Sequence, residues 1–311
     1  MAVLFTNHAP CPRNLRRNAA RLTALAACML LSGAAYAPGQ ERDGAALLHM
    51  GADASATMLD TGFHELYELN FQGARAEFLS YQRRQPGDPM GKAAEAASYL
   101  YEEFNAKGVL TSEFFLDDAK LLGGMNGSPA VNRNEAFLRT NSRAREMAEQ
   151  SLRSSPRDPR ALLVLTLTDG MESDYAAVIE KRQLASLSLI RRAEREGASV
   201  LAVDPSAQDV YVALGASNYI VGCLPGYKRA MLWFGGVHGD RARGIAQMQI
   251  AAENGRYLRP YAKILLALAF EREHQPDRAR PLLAELTDEF PDNPIFAREL
   301  ALLDARSPSR R

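Results

Sequence analysis

A pair of side chains at helical spacing is the first candidate for chemistry in this sequence. His64 and Glu68 are four positions apart, which would place both on one face of a helix as two possible metal ligands. A zinc motif of the HExxH type needs a second histidine where Glu68 stands, and no third ligand lies at a suitable spacing. The pair therefore favours a solvent-facing helix surface, and we predict no metal site.

Two further features could hold an anion or attack a substrate. Residues 235–240 (GGVHGD) could present backbone amides to an anion, but they lack the phosphate-loop pattern, and we interpret them as a turn with Asp240 capping the next helix. Cys223 has no histidine nearby in sequence, which favours a buried structural thiol over a nucleophile. No GxSxG, GxGxxG or paired CxxC motif occurs. We therefore predict that the protein is not an enzyme and uses no cofactor.

Binding potential is concentrated in an aromatic stretch between residues 219 and 240. It contains Tyr219, Tyr227 and the single tryptophan, Trp233, beside the basic residue Lys228. Aromatic and basic side chains together are typical of interaction hot spots. The alternative is that these residues fold inward and pack between helices, so both interpretations stay open at this point.

Length and charge narrow the class of protein. The 311 residues are 47% hydrophobic, which is enough to bury a substantial core. Lys plus Arg and Asp plus Glu are both 37, but the first 37 residues contain four arginines and no other charged residue, which leaves the remainder at a net charge of about −4. Nucleic-acid-binding proteins are usually basic, so we do not expect a nucleic-acid partner.

The N-terminus has the layout of a secretory signal peptide. Basic residues from position 13 are followed by an apolar run over 22–31 and then by small residues up to Ala37. Cleavage after Ala37 or after Ala35 fits the small-residue pattern, and residues 25–28 also resemble a lipoprotein signal in which Cys28 would carry a lipid. We predict an exported protein, periplasmic or extracellular, which is attached to a membrane only if Cys28 is lipidated.

One spacing organises the rest of the chain. Alanine and proline stand 12 residues apart four times, and three of the four prolines open a Pro-x-Asp/Asn-Pro turn. An alanine permits two helices to cross closely, and a proline ends one helix or begins the next. The pairs are Ala74 and Pro86, Ala144 and Pro156, Ala193 and Pro205, and Ala279 and Pro291. The spacing predicts repeated helix pairs, and three amphipathic helices are expected over 259–303.

These features resemble the tetratricopeptide repeat (TPR) family. A large residue follows the small one by four positions at Phe78 and Leu283, although two of the four units have a small residue there. Residues 211–219 are similar to the signature of the family's first helix, with Leu214 and Gly215 in place. The resemblance is strongest over 190–303, and it extends to some uncharacterised exported bacterial TPR proteins. The resemblance implies no particular biochemical activity.

The resemblance implies a fold and a domain organisation. We expect an all-α, right-handed α-solenoid of antiparallel helix pairs, with about five units and irregular insertions near 108–134 and 221–240. The predicted organisation is a signal peptide over 1–37, a linker over 38–56, the TPR-like repeat domain over 57–304 and a disordered tail over 305–311.

The resemblance also implies a function, which is binding in the groove lined by the first helix of each unit. We predict a non-catalytic exported adaptor or scaffold that binds a protein or peptide partner. The alternatives are a lipid-anchored outer-membrane assembly factor and an enzyme or small-ligand receptor, which would show a closed polar pocket with converging acidic or histidine side chains. The predicted partner-binding residues are Val212, Tyr219, Tyr227, Lys228, Trp233, Tyr261, Ile264 and Glu271.

Overall fold

The computed structural model of the chain describes residues 42–224 and 239–306. Within these ranges it contains thirteen α-helices and no strand, which confirms the all-α class. A short 3-10 helix, Gln208–Val210, precedes α9. The α-helices are α1 (Arg42–Tyr67), α2 (Phe71–Arg84), α3 (Met90–Ala106), α4 (Ser112–Leu116), α5 (Asp118–Gly123), α6 (Val131–Ser154), α7 (Pro159–Val178), α8 (Gln183–Val203), α9 (Tyr211–Cys223), α10 (Arg241–Asn254), α11 (Arg259–Arg272), α12 (Pro276–Glu289) and α13 (Pro294–Arg306).

Several predictions fall outside the described residues. They concern the signal peptide and Cys28, the aromatic residues Tyr227 and Trp233 with Lys228, and the last five residues of the tail. Helix α1 begins at Arg42, so most of the segment predicted as a linker is helical. Among the helices of the described ranges, none combines the length and the apolar character that crossing a bilayer requires.

The marker prolines follow helix ends as predicted, and the marker alanines are buried. Each of the four alanines is at most 2% exposed, which fits a position where a second helix passes close by. Helices α2, α6, α8 and α12 each end two residues before the marker proline. Pro159 and Pro294 then begin α7 and α13, where the missing N–H of proline leaves no hydrogen bond unmade.

Helix starts are fixed by capping side chains. The Oδ1 atom of Asp158 accepts from the backbone N–H of Arg160 at 3.0 Å at the start of α7. Asp240 accepts from the backbone N–H of Arg243 at 2.9 Å at the start of α10, as predicted for an N-cap. The three helices expected over 259–303 are α11, α12 and α13.

Successive long helices pack against one another along the chain. The short helices α4 and α5 stand outside this order. Helix α3 packs directly on α6 and also contacts α7. A close crossing joins α9 and α10. A Cβ atom on Gly215 would lie 2.8 Å from the carbonyl oxygen of Gly244, and one on Gly244 would lie 2.7 Å from that of Gly215. Only glycine at both positions permits this approach.

The beginning of the described chain also packs against its end. The ring of Phe63 in α1 stacks on that of Tyr257, with centroids 4.8 Å apart, and the Asn293 side-chain amide donates to the backbone oxygen of Tyr67 at 2.7 Å. Farther along, the guanidinium of Arg272 in α11 donates to the backbone oxygen of Phe115 in α4 at 2.6 Å. These contacts hold α1 against the segments before α11 and α13 and hold α4 against α11, and we call the surface of the helices around them the inner face.

Candidate functional site

Four helices that are distant in sequence bring polar side chains together on this inner face. Tyr67 comes from α1, Tyr101 from α3, Asp174 from α7 and Tyr261 from α11. The rings of Tyr101 and Tyr261 have centroids 6.0 Å apart, and the hydroxyls of both interact with the carboxyl group of Asp174. Each of the four side chains lies deep in the molecule yet keeps part of its surface accessible. We call Tyr67, Tyr101, Asp174 and Tyr261 the inner site.

The local sequence explains how Asp174 reaches the interior. Its neighbours one helical turn away on α7 are Gly170, Met171, Ala177 and Val178, none of which carries a charge. These residues share a face with Asp174 and make that face otherwise small and apolar. The helix therefore presents one isolated carboxyl group to the inner site.

Burial dominates the electrostatics of that carboxyl group. Burial raises the pKa of Asp174 from 3.8 to about 7, and the hydroxyls of Tyr261 and Tyr101 offset only part of this effect. Within the described part of the chain, no lysine, arginine or histidine pairs with Asp174. The group therefore keeps its proton to a higher pH than an exposed aspartate does, and no counter-charge faces it among the described residues.

The tyrosines keep their protons under the same conditions. Burial, followed by the neighbouring Tyr261 and Asp174, raises the pKa of Tyr101, and burial followed by Asp174 raises the pKa of Tyr261. The hydroxyl of Tyr67 donates to the backbone oxygen of Tyr257 at 2.9 Å. The inner site thus combines one titrating carboxyl group with neutral phenols that can donate or accept hydrogen bonds.

This arrangement is suited to binding or to proton exchange. A carboxyl group with a pKa near 7 can hold a cation or pass a proton, and two tyrosine hydroxyls interact with it. In residues 42–224 and 239–306 no three His, Cys, Asp or Glu side chains are close enough to hold a metal ion. His64 and Glu68 do share a helix face, with Nε2 and Oε1 3.8 Å apart.

The predicted binding residues are distributed between the core and the inner face. Val212 is 5% exposed and Tyr219 is 8% exposed, because the close α9–α10 crossing covers them. The hydroxyl of Tyr219 donates to the backbone oxygen of Ala269 at 3.2 Å. The structure therefore buries both residues in the packing between helices, as in the alternative that the aromatic residues pack inward.

The other described residues of that set lie on α11. Tyr261 joins the inner site, and Ile264 packs against the cluster formed by Leu286, Phe290 and Phe296. The carboxylate of Glu271 lies 3.2 Å from the guanidinium of Arg306 in α13, and burial raises its pKa. Of the predicted partner-binding residues that the structure describes, only Tyr261 thus belongs to the inner site.

Cys223 and a cleft on the outer surface are weaker candidates for a functional site than the inner site. Burial raises the pKa of the Cys223 thiol, which lowers its thiolate fraction at neutral pH, and this supports a structural thiol. An open cleft of about 460 Å³ lies on the outside, lined by residues of α3 and α6 that include Lys92, Arg139 and Arg143. Lys92 is already paired there with Glu95 at 2.6 Å.

Sequence analysis missed three of the four inner-site residues, namely Tyr67, Tyr101 and Asp174. The one available signal was the isolated acidic residue on an apolar helix face, which marks Asp174 as unusual. The two tyrosines carry no distinguishing local pattern. No protein-family model matches this sequence, and no curated protein matches it either.

Proposed function

We propose that this chain is an exported TPR-like repeat protein, a right-handed α-solenoid whose role is binding and not catalysis. The buried marker alanines and the helix ends before the marker prolines support the repeat interpretation. Export rests on the signal-like N-terminus, and attachment to a membrane would require a lipid on Cys28.

The inner site is the proposed binding surface for a protein or peptide partner. The convergence of Asp174 with three tyrosines from four helices is the observation that carries this proposal. The Tyr101 and Tyr261 rings are in contact, with centroids 6.0 Å apart, so a partner would meet the accessible edges of these side chains.

A photo-crosslinking residue placed at Tyr261 tests this role. The matched control places the same residue at Leu184, which is 80% exposed on α8. In the cell envelope of the source organism, we expect a defined protein or peptide adduct from position 261 and none from position 184. Equal adducts from both positions, or none from position 261 in the folded protein, would contradict the proposal.

A small-ligand receptor is the second candidate, and the depth of the partly accessible Asp174 carboxyl group favours it. Stacking of Phe63 on Tyr257 and the Asn293 to Tyr67 hydrogen bond hold α1 against the segments before α11 and α13. A partly buried polar group suits a free small molecule better than an extended groove does. Native mass spectrometry of protein purified from its source tests this candidate, which predicts a reproducible mass increment that is lost on denaturation.

A further inference from the structure

The first half of the chain, helices α1–α8, meets α11 and α13 of the second half along one surface. The contacts lie just before the N-terminal ends of α11 and α13, in the middle of α11, and near its C-terminal end. We call this surface the seam. Its contacts join Asp60 to Arg256, Tyr67 to Asn293, Tyr101 to Tyr261, Phe115 to Arg272 and Ser112 to Glu299. The seam therefore extends from one end of α11 to the other.

The seam covers groove residues that the sequence predicts on α11. The ring of Tyr261 meets that of Tyr101 in α3, with centroids 6.0 Å apart. Ile264, one turn farther along α11, packs in the same apolar cluster as Tyr67 of α1. The first half of the chain therefore already occupies the face of α11 on which a partner is expected to bind.

Two contacts of the seam complete helix ends of the first half. The last carbonyl groups of an α-helix have no partner within the helix. Tyr67 is the last residue of α1, and its carbonyl accepts from the side-chain amide of Asn293 at 2.7 Å. Phe115 lies in the last turn of α4, and its carbonyl accepts from the guanidinium of Arg272 at 2.6 Å. Water can replace either donor when the seam is open, so these carbonyls do not require the closed arrangement.

The two halves keep largely separate apolar cores. Among the described residues, one buried cluster lies within 59–178 and takes only Tyr257 from the second half, and another lies within 212–303. Helix α8 connects the halves, because it packs on both α7 and α9. The Asp60–Arg256 ion pair of the seam has about half of each side chain in solvent, and exposed pairs contribute little stability. The halves can therefore separate along the seam, by movement about α8 and α9, while both cores stay packed.

We propose that the first half of the chain is an internal occupant of the α11 surface, and that the protein binds its partner by opening along the seam. Opening separates Tyr101 from Tyr261 and exposes both rings to a protein or peptide partner. The inference rests on the proposed binding role of the inner site and adds its regulation. A partner must compete with α1, α3 and α4 for α11, so its apparent affinity falls with the fraction of closed protein.

Cysteine labelling of the folded protein tests whether the seam opens without unfolding of a core. Ser112→Cys places a thiol in the seam, where Ser112 is 6% exposed, and the matched control Ser98→Cys places one inside the first half, where Ser98 is 0% exposed. Mass spectrometry of the digested chain gives the rate of maleimide labelling at each position. We expect position 112 to react about tenfold faster than position 98 or more, because the seam opens at a lower free energy than the core. Equal rates would overturn the inference.

A charge exchange at the α1 end tests whether the seam opens as one unit. Asp60→Arg puts two guanidinium groups together and should raise the labelling rate at position 112, on a different helix, by about threefold or more. Adding Arg256→Asp restores an ion pair and should return the rate to its original value. The rate at position 98 should stay constant throughout. An unchanged rate at position 112 would show that α4 opens alone, and an equal rise at position 98 would show a general loss of stability. Either result would contradict the inference.

A measurement on the unchanged protein keeps the proposal testable if these variants do not fold. In hydroxyl-radical footprinting with increasing urea, Tyr101 and Tyr261 should gain reactivity at a lower urea concentration than Phe78, which is 0% exposed in the first core. Simultaneous gains would overturn the inference. A defined crosslink from position 261 together with simultaneous gains would leave the proposed function standing and contradict only this inference. Earlier gains at the two tyrosines without any crosslink would contradict the proposed function and leave the opening of the seam supported.

Discussion

Two aspartates on helix α7, five residues apart, have opposite environments. Asp169 faces the neighbouring helices α6 and α8, has no exposed surface, and is held by the guanidinium groups of Arg145 and Arg192. Asp174 faces the inner site, meets the hydroxyls of Tyr101 and Tyr261, and has no cationic partner within the described residues. A five-residue step turns a helix by roughly 140°, which separates the two faces.

The difference separates a charge that the fold compensates from one that it leaves without a cationic partner. Arg145 and Arg192 compensate Asp169 without any help from outside, and burial beside Arg192 lowers the pKa of Arg145. The isolated Asp174 destabilises the folded protein whenever it is ionised, because the two tyrosine hydroxyls replace only part of its lost hydration. A destabilising group that packing does not require is typical of functional sites.

The largest effect should follow removal of the compensated charge. Asp169→Asn leaves two guanidinium groups facing each other without their shared anion, and we expect it to lower the free energy of unfolding by about 3–5 kcal/mol. Urea denaturation at pH 7 measures this change. Glu172→Gln, which alters a half-exposed acid on the same helix, should change the free energy by less than about 1 kcal/mol. An equally small change in the free energy of unfolding for Asp169→Asn would contradict the comparison between Asp169 and Asp174.

The variant Asp174→Asn should have the opposite effect and raise the free energy of unfolding. Its carboxyl group has a pKa of about 7 in the folded protein, against an ordinary value of 3.8, so the folded state holds the proton more tightly. Stability from this group is therefore present below pH 4 and is lost as the pH rises through 7. At pH 8 the variant should be more stable than the unchanged protein by up to about 4 kcal/mol, since one pKa unit corresponds to about 1.4 kcal/mol.

Thermal unfolding between pH 4 and pH 8 checks this second prediction. The melting temperatures of Asp174→Asn and the unchanged protein should diverge as the pH rises and approach each other near pH 4. Burial also raises the pKa of Glu196, Asp209 and Glu271, but these groups are present in both proteins and their contributions cancel in the difference. A variant that is less stable at pH 8 would show that Asp174 has a stabilising partner.

The sequence predicts the outer architecture well, because its determinants are local. A marker alanine such as Ala144 and the proline 12 residues later act within one helix and its immediate neighbour, so the end of α6 follows from residue types alone. The Asp240 cap follows for the same reason. The helices expected over 259–303 also appear, because their apolar spacing is regular.

The inner site depends instead on how helices that are distant in sequence pack against one another. That packing brings Tyr67 in α1 to Tyr257, 190 residues later, and no local pattern encodes it. The two aspartates make the same point. Neither Asp169 nor Asp174 has a basic residue one turn away on its own helix, so sequence alone does not show which of them finds a cation. The burial of Val212 and Tyr219 likewise depends on how closely α10 approaches α9.

A smaller effect should come from the hydroxyl groups that face Asp174. Tyr261→Phe keeps the ring but removes a hydroxyl that stabilises the ionised carboxylate, so the pKa of Asp174 should rise further. We expect a loss of about 1 kcal/mol in the free energy of unfolding at pH 8. In the Asp174→Asn background the same change should have a clearly smaller effect, and this double-mutant cycle isolates the contact. Equal losses in both backgrounds would place the Tyr261 hydroxyl with another partner.

The smallest effect should come from a carboxylate that is paired but exposed. The Asp60 oxygens lie 2.9 and 3.0 Å from two nitrogens of Arg256, with half of each side chain in solvent. Asp60→Asn should lower the free energy of unfolding by less than about 1 kcal/mol. The loss should vanish near 1 M salt, where the screening length is about 3 Å, whereas the loss from Asp169→Asn should persist. If both losses of stability respond to salt alike, burial does not distinguish Asp169 from the exposed ion pairs. The contrast between Asp169 and Asp174 would then rest only on the missing cationic partner of Asp174.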